Sequence, residues 1–371
     1  MSQLDSQRSF VDAPPPGSSS GLTSRSLTIA VTGVLAIALG AVIALLPTPY
    51  AIYAPGPATN VLGKVGDLAL ITIKPPTSSY RPTEGSTLDM TTVSVFGGPG
   101  RKVTVLDVLR SWVSPTRTVV PVEQVFPPGQ TEGQAEAETA AEMSDSQQQA
   151  TAAGLRLAGY TVPETVTIAD VSAGLPAAKV LKAGDVITAI NGTKVVDSTK
   201  LREAVQKLKP GDPILVTVRR NGTTTEVHTV TGASDNRTVL GVDLKTTYVF
   251  PVDVEFATKD VGGPSAGMMF ALGIYDLLTE GDLGGGAKIA GTGTIDGAGT
   301  VGPIGGIAQK LVGARRAGAE WFIAPESNCN EVVGHIPRGL HVVSTSTLSQ
   351  SRTDVEQIAA GKGSSLPTCK S

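Results

Sequence analysis

A serine stands in the segment GGPSAG at 262–267, and a lysine, Lys310, closes the segment PIGGIAQK further along the chain. Ser265 opens an apolar run, MMFALGIYDLL, with the composition of a buried helix. A hydroxyl at a helix start sits among backbone N–H groups that have no intrahelical partner, in the positive field of the helix dipole. That environment suits a nucleophile whose attack on a carbonyl creates an oxyanion, with the N–H groups of Ser265 and Ala266 as its candidate donors. Such a nucleophile needs a base. The three histidines, His228, His335 and His341, lie in no motif that would orient one on Ser265. A lysine kept neutral by burial serves instead, and Ile304, Ile307 and Leu311 surround Lys310 with apolar side chains. Its pKa must fall from about 10.4 toward neutrality, at about 1.4 kcal/mol per unit.

The pair GPSAG and PIGGxxxK, in this order, resembles the Lon protease family over roughly residues 250–326. The resemblance implies Ser265 as nucleophile and Lys310 as general base. It also implies a catalytic role for Thr292, in AGTGTI, which matches a threonine near the family's lysine. Asp260 precedes the serine loop much as an aspartate does in the family, but Val261 and an extra glycine intervene, which favours a turn role for it. Large family members carry an ATPase. Neither GK dipeptide here, Gly63-Lys64 or Gly361-Lys362, has the earlier glycine of a phosphate-binding loop. The expectation is an ATP-independent enzyme without cofactor or metal. Glu331 and His335 lack a third ligand nearby, and nothing pairs Lys288 with Ser265. Family members often form rings, which leaves a homo-oligomer open.

A second unit is legible over 155–232. VTIADVSAGLPAAKVLKAGDVITAINGTKV reads as strand, short helix, strand and a tight Asn191-Gly192 turn. A helix over 198–208 follows, then ILVTVRR and TTEVHTV joined by Asn221-Gly222. This string resembles a PDZ domain of the kind found beside bacterial proteases. Such domains bind peptides by strand addition and capture a terminal carboxylate on backbone amides. The resemblance maps the peptide-binding loop onto LAGYTV, with Gly159, Tyr160, Thr161 and Val162 as its candidates.

The chain has 371 residues, a net charge of −3 and no basic block, which argues against nucleic acid as a partner. Residues 27–46 carry no charge over a length that spans a bilayer as one helix. The small residues of AIYA at 51–54 also fit a cleaved signal sequence, so both fates remain open. Arg8 and Arg25 precede the apolar stretch, so positive charge inside places residues 1–26 in the cytoplasm and the bulk outside the cell membrane. Tyr50 and Tyr53 fall where an interfacial aromatic belt would lie. Cys329 and Cys369 suit one disulfide in an exported protein, with two free thiols as the alternative.

The resulting expectation is an α+β chain: a disordered tail (1–26), a transmembrane helix (27–46) and a Lon-type proteolytic domain with an inserted PDZ domain. The proteolytic domain comprises a front part (65–153), in which Leu88, Met90, Val93 and Val95 alternate inward, and a catalytic part (238–350) before a C-terminal tail (351–371). An independent domain over 65–153 is the competing arrangement. Functionally, the reading is a membrane-anchored serine endopeptidase acting on protein or peptide substrates, with the PDZ domain selecting substrate or gating the site. A non-catalytic PDZ scaffold is the rival.

Overall fold

The structure is a computed structural model that describes residues 24–80, 85–195, 197–234, 237–258 and 261–370. Asp260 and residues 1–23 of the expected tail lie outside the described residues. Helix α1, Ser24–Ala44, has no buried residue and is long and apolar enough to cross a membrane. It begins and ends earlier than the apolar stretch suggests. The amides of Leu45 and Leu46 close a last tight turn on the carbonyls of Val42 and Ile43, and Pro47 then turns the chain into a strand.

Strand β1, Tyr50–Asn60, and strand β2, Thr87–Phe96, pair antiparallel. Leu88 and Met90 of β2 are buried, whereas Val95 is 39% exposed because the end of β2 runs past the core. The short helix α2, Val105–Trp112, starts at a capping box in which Thr104 and Asp107 satisfy each other's backbone amides. Strand β3, Thr118–Pro121, then adds to the free edge of β1. Helix α3, Glu132–Leu157, has a second capping box at Thr131 and Gln134 and buries its last three turns.

The chain then leaves this core for a separate sheet. Strands β4, Glu164–Val171, β5, Val186–Ile190, β6, Pro213–Arg220, β7, Thr223–Val230, and β8, Val242–Tyr248, form an antiparallel sheet in the order β7-β6-β5-β4-β8. Helix α4, Ser198–Gln206, covers it through Leu201 and Val205. Val166, Ile187, Val216 and Leu240 belong to one buried cluster distinct from that of the rest of the chain. The unit is therefore shifted from the expected 155–232. Residues 155–162 stay with the first core, while Leu240, Val242 and Leu244 join the second.

Helix α5, Gly267–Leu278, re-enters the first core. Strands β9, Lys288–Gly291, β10, Trp321–Pro325, and β11, His341–Thr345, complete a six-stranded sheet in the order β11-β10-β9-β2-β1-β3, parallel from β11 through β2. Alternate residues of its strands face two hydrophobic clusters. Ile289, Ile323 and Val343 meet α3, α5 and helix α7, Leu348–Ala359, on one side. Ala290, Phe322 and Val342 meet helix α6, Ile307–Arg316, on the other. Residues 351–370 are not a loose tail: Val355 and Ile358 are core residues, and Cys369 is buried in a disulfide with Cys329. Nor does the core begin at residue 65, because β1 lies inside the sheet.

Candidate active site

The parallel strand β9 ends at Gly291, and the next residue, Thr292, is fully buried at the carboxyl end of the sheet. There it meets the serine loop. The amide of Gly293 and the hydroxyl of Thr292 both donate to the carbonyl of Ser265, each at 2.9 Å, and the amide of Met268 donates to the Gly293 carbonyl. Behind the loop, Ser146 of α3 donates to the Pro264 carbonyl at 3.0 Å. Pro264–Ala266 form a single 3-10 turn that runs directly into α5, so the amides of Ser265 and Ala266 stand at a helix start. Gly263 enters this turn at φ 80°, a left-handed conformation that favours glycine.

Lys310 arrives from the opposite face of the sheet. Helix α6 lies so close to β1 that a side chain at Gly313 would meet the Gly56 carbonyl at 2.7 Å. One turn earlier on the same helix, Lys310 is 1% exposed, and its Nζ lies 2.7 Å from Ser265 Oγ and 2.9 Å from Thr292 Oγ1. Ile304, Ile307 and Leu311 are buried around this turn. Burial disfavours the ammonium form and pushes the Lys310 pKa down to about 7. Once neutral, its lone pair is free to accept the Ser265 hydroxyl proton while an N–H still donates to Thr292. Beside the serine loop runs a cleft of about 890 Å³, with Phe126, Met143, Thr139, Val261 and Gly262 among its walls.

A model of the Lon protease (S16) C-terminal proteolytic domain matches residues 252–359, and a model of the PDZ domain matches residues 141–231. The chain carries a PDZ domain and a Lon proteolytic domain. The Lon protease of Treponema pallidum (strain Nichols) is 33% identical over 106 residues, which are 27% of this chain and 11% of that protein. That of Clostridium beijerinckii is 36% identical over 89 residues, 23% of this chain and again 11% of the relative. The chain thus aligns with about a tenth of the length of these relatives. Among solved structures, the PDZ domain of the SdrC-like protein from Listeria monocytogenes is 27% identical, covering 21% of this chain and 85% of its own, with a TM-score of 0.21. Its counterpart from Listeria innocua is 26% identical, covering 22% and 92%, also with a TM-score of 0.21.

The residues expected to bind peptide do not line a groove of the PDZ domain. Gly159 and Tyr160 close the end of α3, with the Gly159 amide bonded to the Arg156 carbonyl and the Tyr160 amide to the Leu155 carbonyl. Val162 is buried in the protease core, Tyr160 packs against it, and Thr161 is an exposed linker residue. A groove of about 450 Å³ lies instead between α4 and β8, with walls that include Leu175, Leu201, Val205, Leu240 and Val242. Among the described residues β8 pairs with β4 and stands at the edge of the sheet. The signal was present in TVLGV at 238–242, an apolar glycine-containing turn before a strand. The chain order hides it, because the edge strand comes last in this domain.

Sequence reasoning also missed how the two domains are joined. Thr199, at the start of α4, donates to Asp296 at 2.9 Å, and Asp296 also accepts from the amides of Ala298 and Thr300. Arg156 bridges Glu164 at 2.9 Å and the Gly297 carbonyl at 2.6 Å. Gln149 accepts from Tyr248 and from the Gly297 amide. The turn at 296–300 thus touches both the PDZ helix and the segment that continues from Thr292 and Gly293.

Proposed function

We propose that this chain is a membrane-anchored serine endopeptidase in which Lys310 activates Ser265, and in which the PDZ domain selects or gates the substrate. The observation that carries the reading is the 2.7 Å approach of a buried lysine, with its pKa lowered to about 7, to a half-buried serine hydroxyl at a helix start. Lys310 takes the Ser265 proton as Oγ attacks a peptide carbonyl, and returns a proton to the leaving amine. The amides of Ser265 and Ala266 receive the oxyanion. Thr292 holds the lysine amine and the Ser265 carbonyl in one geometry. Helix α1 anchors the chain in the cell membrane, with the two domains outside.

In the groove between α4 and β8, an extended peptide pairs with the free edge of β8. Its terminal carboxylate meets the turn at Leu240 and Gly241, near Arg202 and Arg237. The Thr199–Asp296 contact offers a route from that groove to the serine loop.

The test is cleavage of an unfolded protein by the full chain without ATP, beside Ser265→Ala and Lys310→Ala. Turnover by the native chain alone is the expected result, with a loss of at least about a thousandfold in each variant. Full activity in either variant would end the dyad reading. Peptide binding by all three without any turnover, in membranes and with PDZ ligand present, would favour the scaffold.

A further inference from the structure

We infer that α2 is an interfacial helix that lays its exposed apolar stripe on the outer leaflet of the membrane and so holds the protease cleft at the bilayer surface. The inference rests on the reading of α1 as a membrane-spanning helix.

The attachment is direct. The amide of Val105, the first residue of α2, donates to the carbonyl of Leu46 at 3.1 Å, two residues past the end of α1. Pro47–Thr48 pairs with Val103–Thr104, and the Thr48 hydroxyl adds a bond to the Val103 carbonyl at 2.9 Å. These bonds place the start of α2 where the spanning helix leaves the hydrocarbon.

One side of α2, with Val108 and Ser111, is buried, and Val108 packs with Ile52 and Val103. Leu109, Trp112 and Val113, spaced three and four residues apart on another side, are 50%, 64% and 84% exposed. An apolar stripe with a tryptophan at its end is costly in water and favourable at the headgroup level. Arg101, Lys102, Arg110 and Arg117 flank it and are all exposed. Arg101 makes one weak ion pair with Glu132, at 3.6 Å, and the nearby Asp107 is occupied in the helix cap. Basic residues around an apolar stripe complement anionic lipid. The tyrosines read from sequence as an aromatic belt do not fill this place: Tyr50 and Tyr53 are half-buried in β1, and Tyr50 packs on the cluster beneath α2.

The consequence concerns substrate. Arg101 also borders the cleft that reaches Gly262 of the serine loop. A docked α2 therefore presents that cleft to chain segments emerging from the bilayer surface, such as the loose flanks of membrane proteins.

The test uses the full chain in vesicles of phosphatidylcholine and phosphatidylglycerol. The chain has two tryptophans; Trp321 is half-buried, packed against the core and stacked on His341, so Trp112, 64% exposed, is the surface reporter. Lipids brominated near the glycerol end of the acyl chain should quench Trp112. That quenching should vanish in Trp112→Phe. It should also vanish in Leu109→Asp/Val113→Asp, whose Trp112 becomes accessible to iodide while the chain stays in carbonate-washed membranes. Retention in the membrane with Trp112 open to iodide and untouched by the lipid would overturn the inference and leave the anchor standing. Shielding from iodide without lipid quenching would overturn it in favour of a second copy or another protein on α2. Release by carbonate would remove the anchor and the inference together.

Discussion

The Nζ of Lys310 lies 2.7 Å from the Oγ of Ser265, and the two residues reach each other from opposite faces of one sheet. The lysine is buried among aliphatic side chains, and its other polar contact is the Thr292 hydroxyl at 2.9 Å. The pair therefore has a protonation state set by desolvation, and that state has measurable consequences.

The first is a pH profile. The lysine acts as a base only when neutral, so kcat/KM should rise with pH up to about 7 and then level off. Stability carries the same signature. The folded pKa lies below the ordinary 10.5, so the unfolded chain binds more protons between about pH 7 and 10.5, and stability should increase with pH across that window. In Lys310→Met this rise should flatten. Denaturant midpoints at several pH values for both proteins would check it.

Thr292 makes two bonds that suit a positioning role, one accepted from Lys310 and one donated to the Ser265 carbonyl. Thr292→Val should lower kcat by roughly ten- to a hundredfold with KM nearly unchanged, each tenfold being about 1.4 kcal/mol of barrier. Thr292→Ser should restore most of the rate. A drop in KM alone would contradict the role.

Gly262 is required by contact. A Cβ there would lie 2.0 Å from the Thr139 methyl group on α3, just ahead of the serine turn. Gly262→Ala should displace the loop and cut turnover strongly with only a modest fall in thermal stability. The double variant Gly262→Ala/Thr139→Ser, which removes the obstructing methyl, should recover activity.

The Thr199–Asp296 bond joins the PDZ helix directly to the turn that follows Thr292 and Gly293. If it transmits occupancy, Thr199→Val should leave peptide affinity intact and abolish the effect of bound peptide on turnover. Titrating one peptide while following cleavage separates the two quantities. Loss of affinity itself would assign Thr199 to the groove instead.

Cys329 and Cys369 form a disulfide that closes a loop of sequence separation 40 and pins the last residues of the chain beside Val332 and Leu340. Cys369→Ser should cost about 2–4 kcal/mol of stability, read from denaturant unfolding, with catalysis at moderate temperature preserved because neither cysteine bonds to Ser265, Thr292 or Lys310.

Local chemistry was legible from the chain alone. The glycine- and proline-framed serine, the apolar helix it opens, the lysine after PIGG, the NG hairpins and the uncharged N-terminal stretch each depend on neighbours within a few residues. Such signals survive in one dimension, because turn conformation and helical burial are set by short-range composition. What lay beyond reach depended on which distant segments share a core. Gly159 and Tyr160 looked like the start of a binding loop, yet they cap a helix whose last turns are sealed by α5. The groove between α4 and β8 needed an edge strand that only strand order reveals, since β8 is last in sequence and outermost in the sheet. The same holds for α2: its period marks an apolar stripe, but the bond from Val105 to Leu46 sets that stripe at the end of the long apolar helix α1. Tertiary pairing decides these features because it assigns each amphipathic element the surface it will meet.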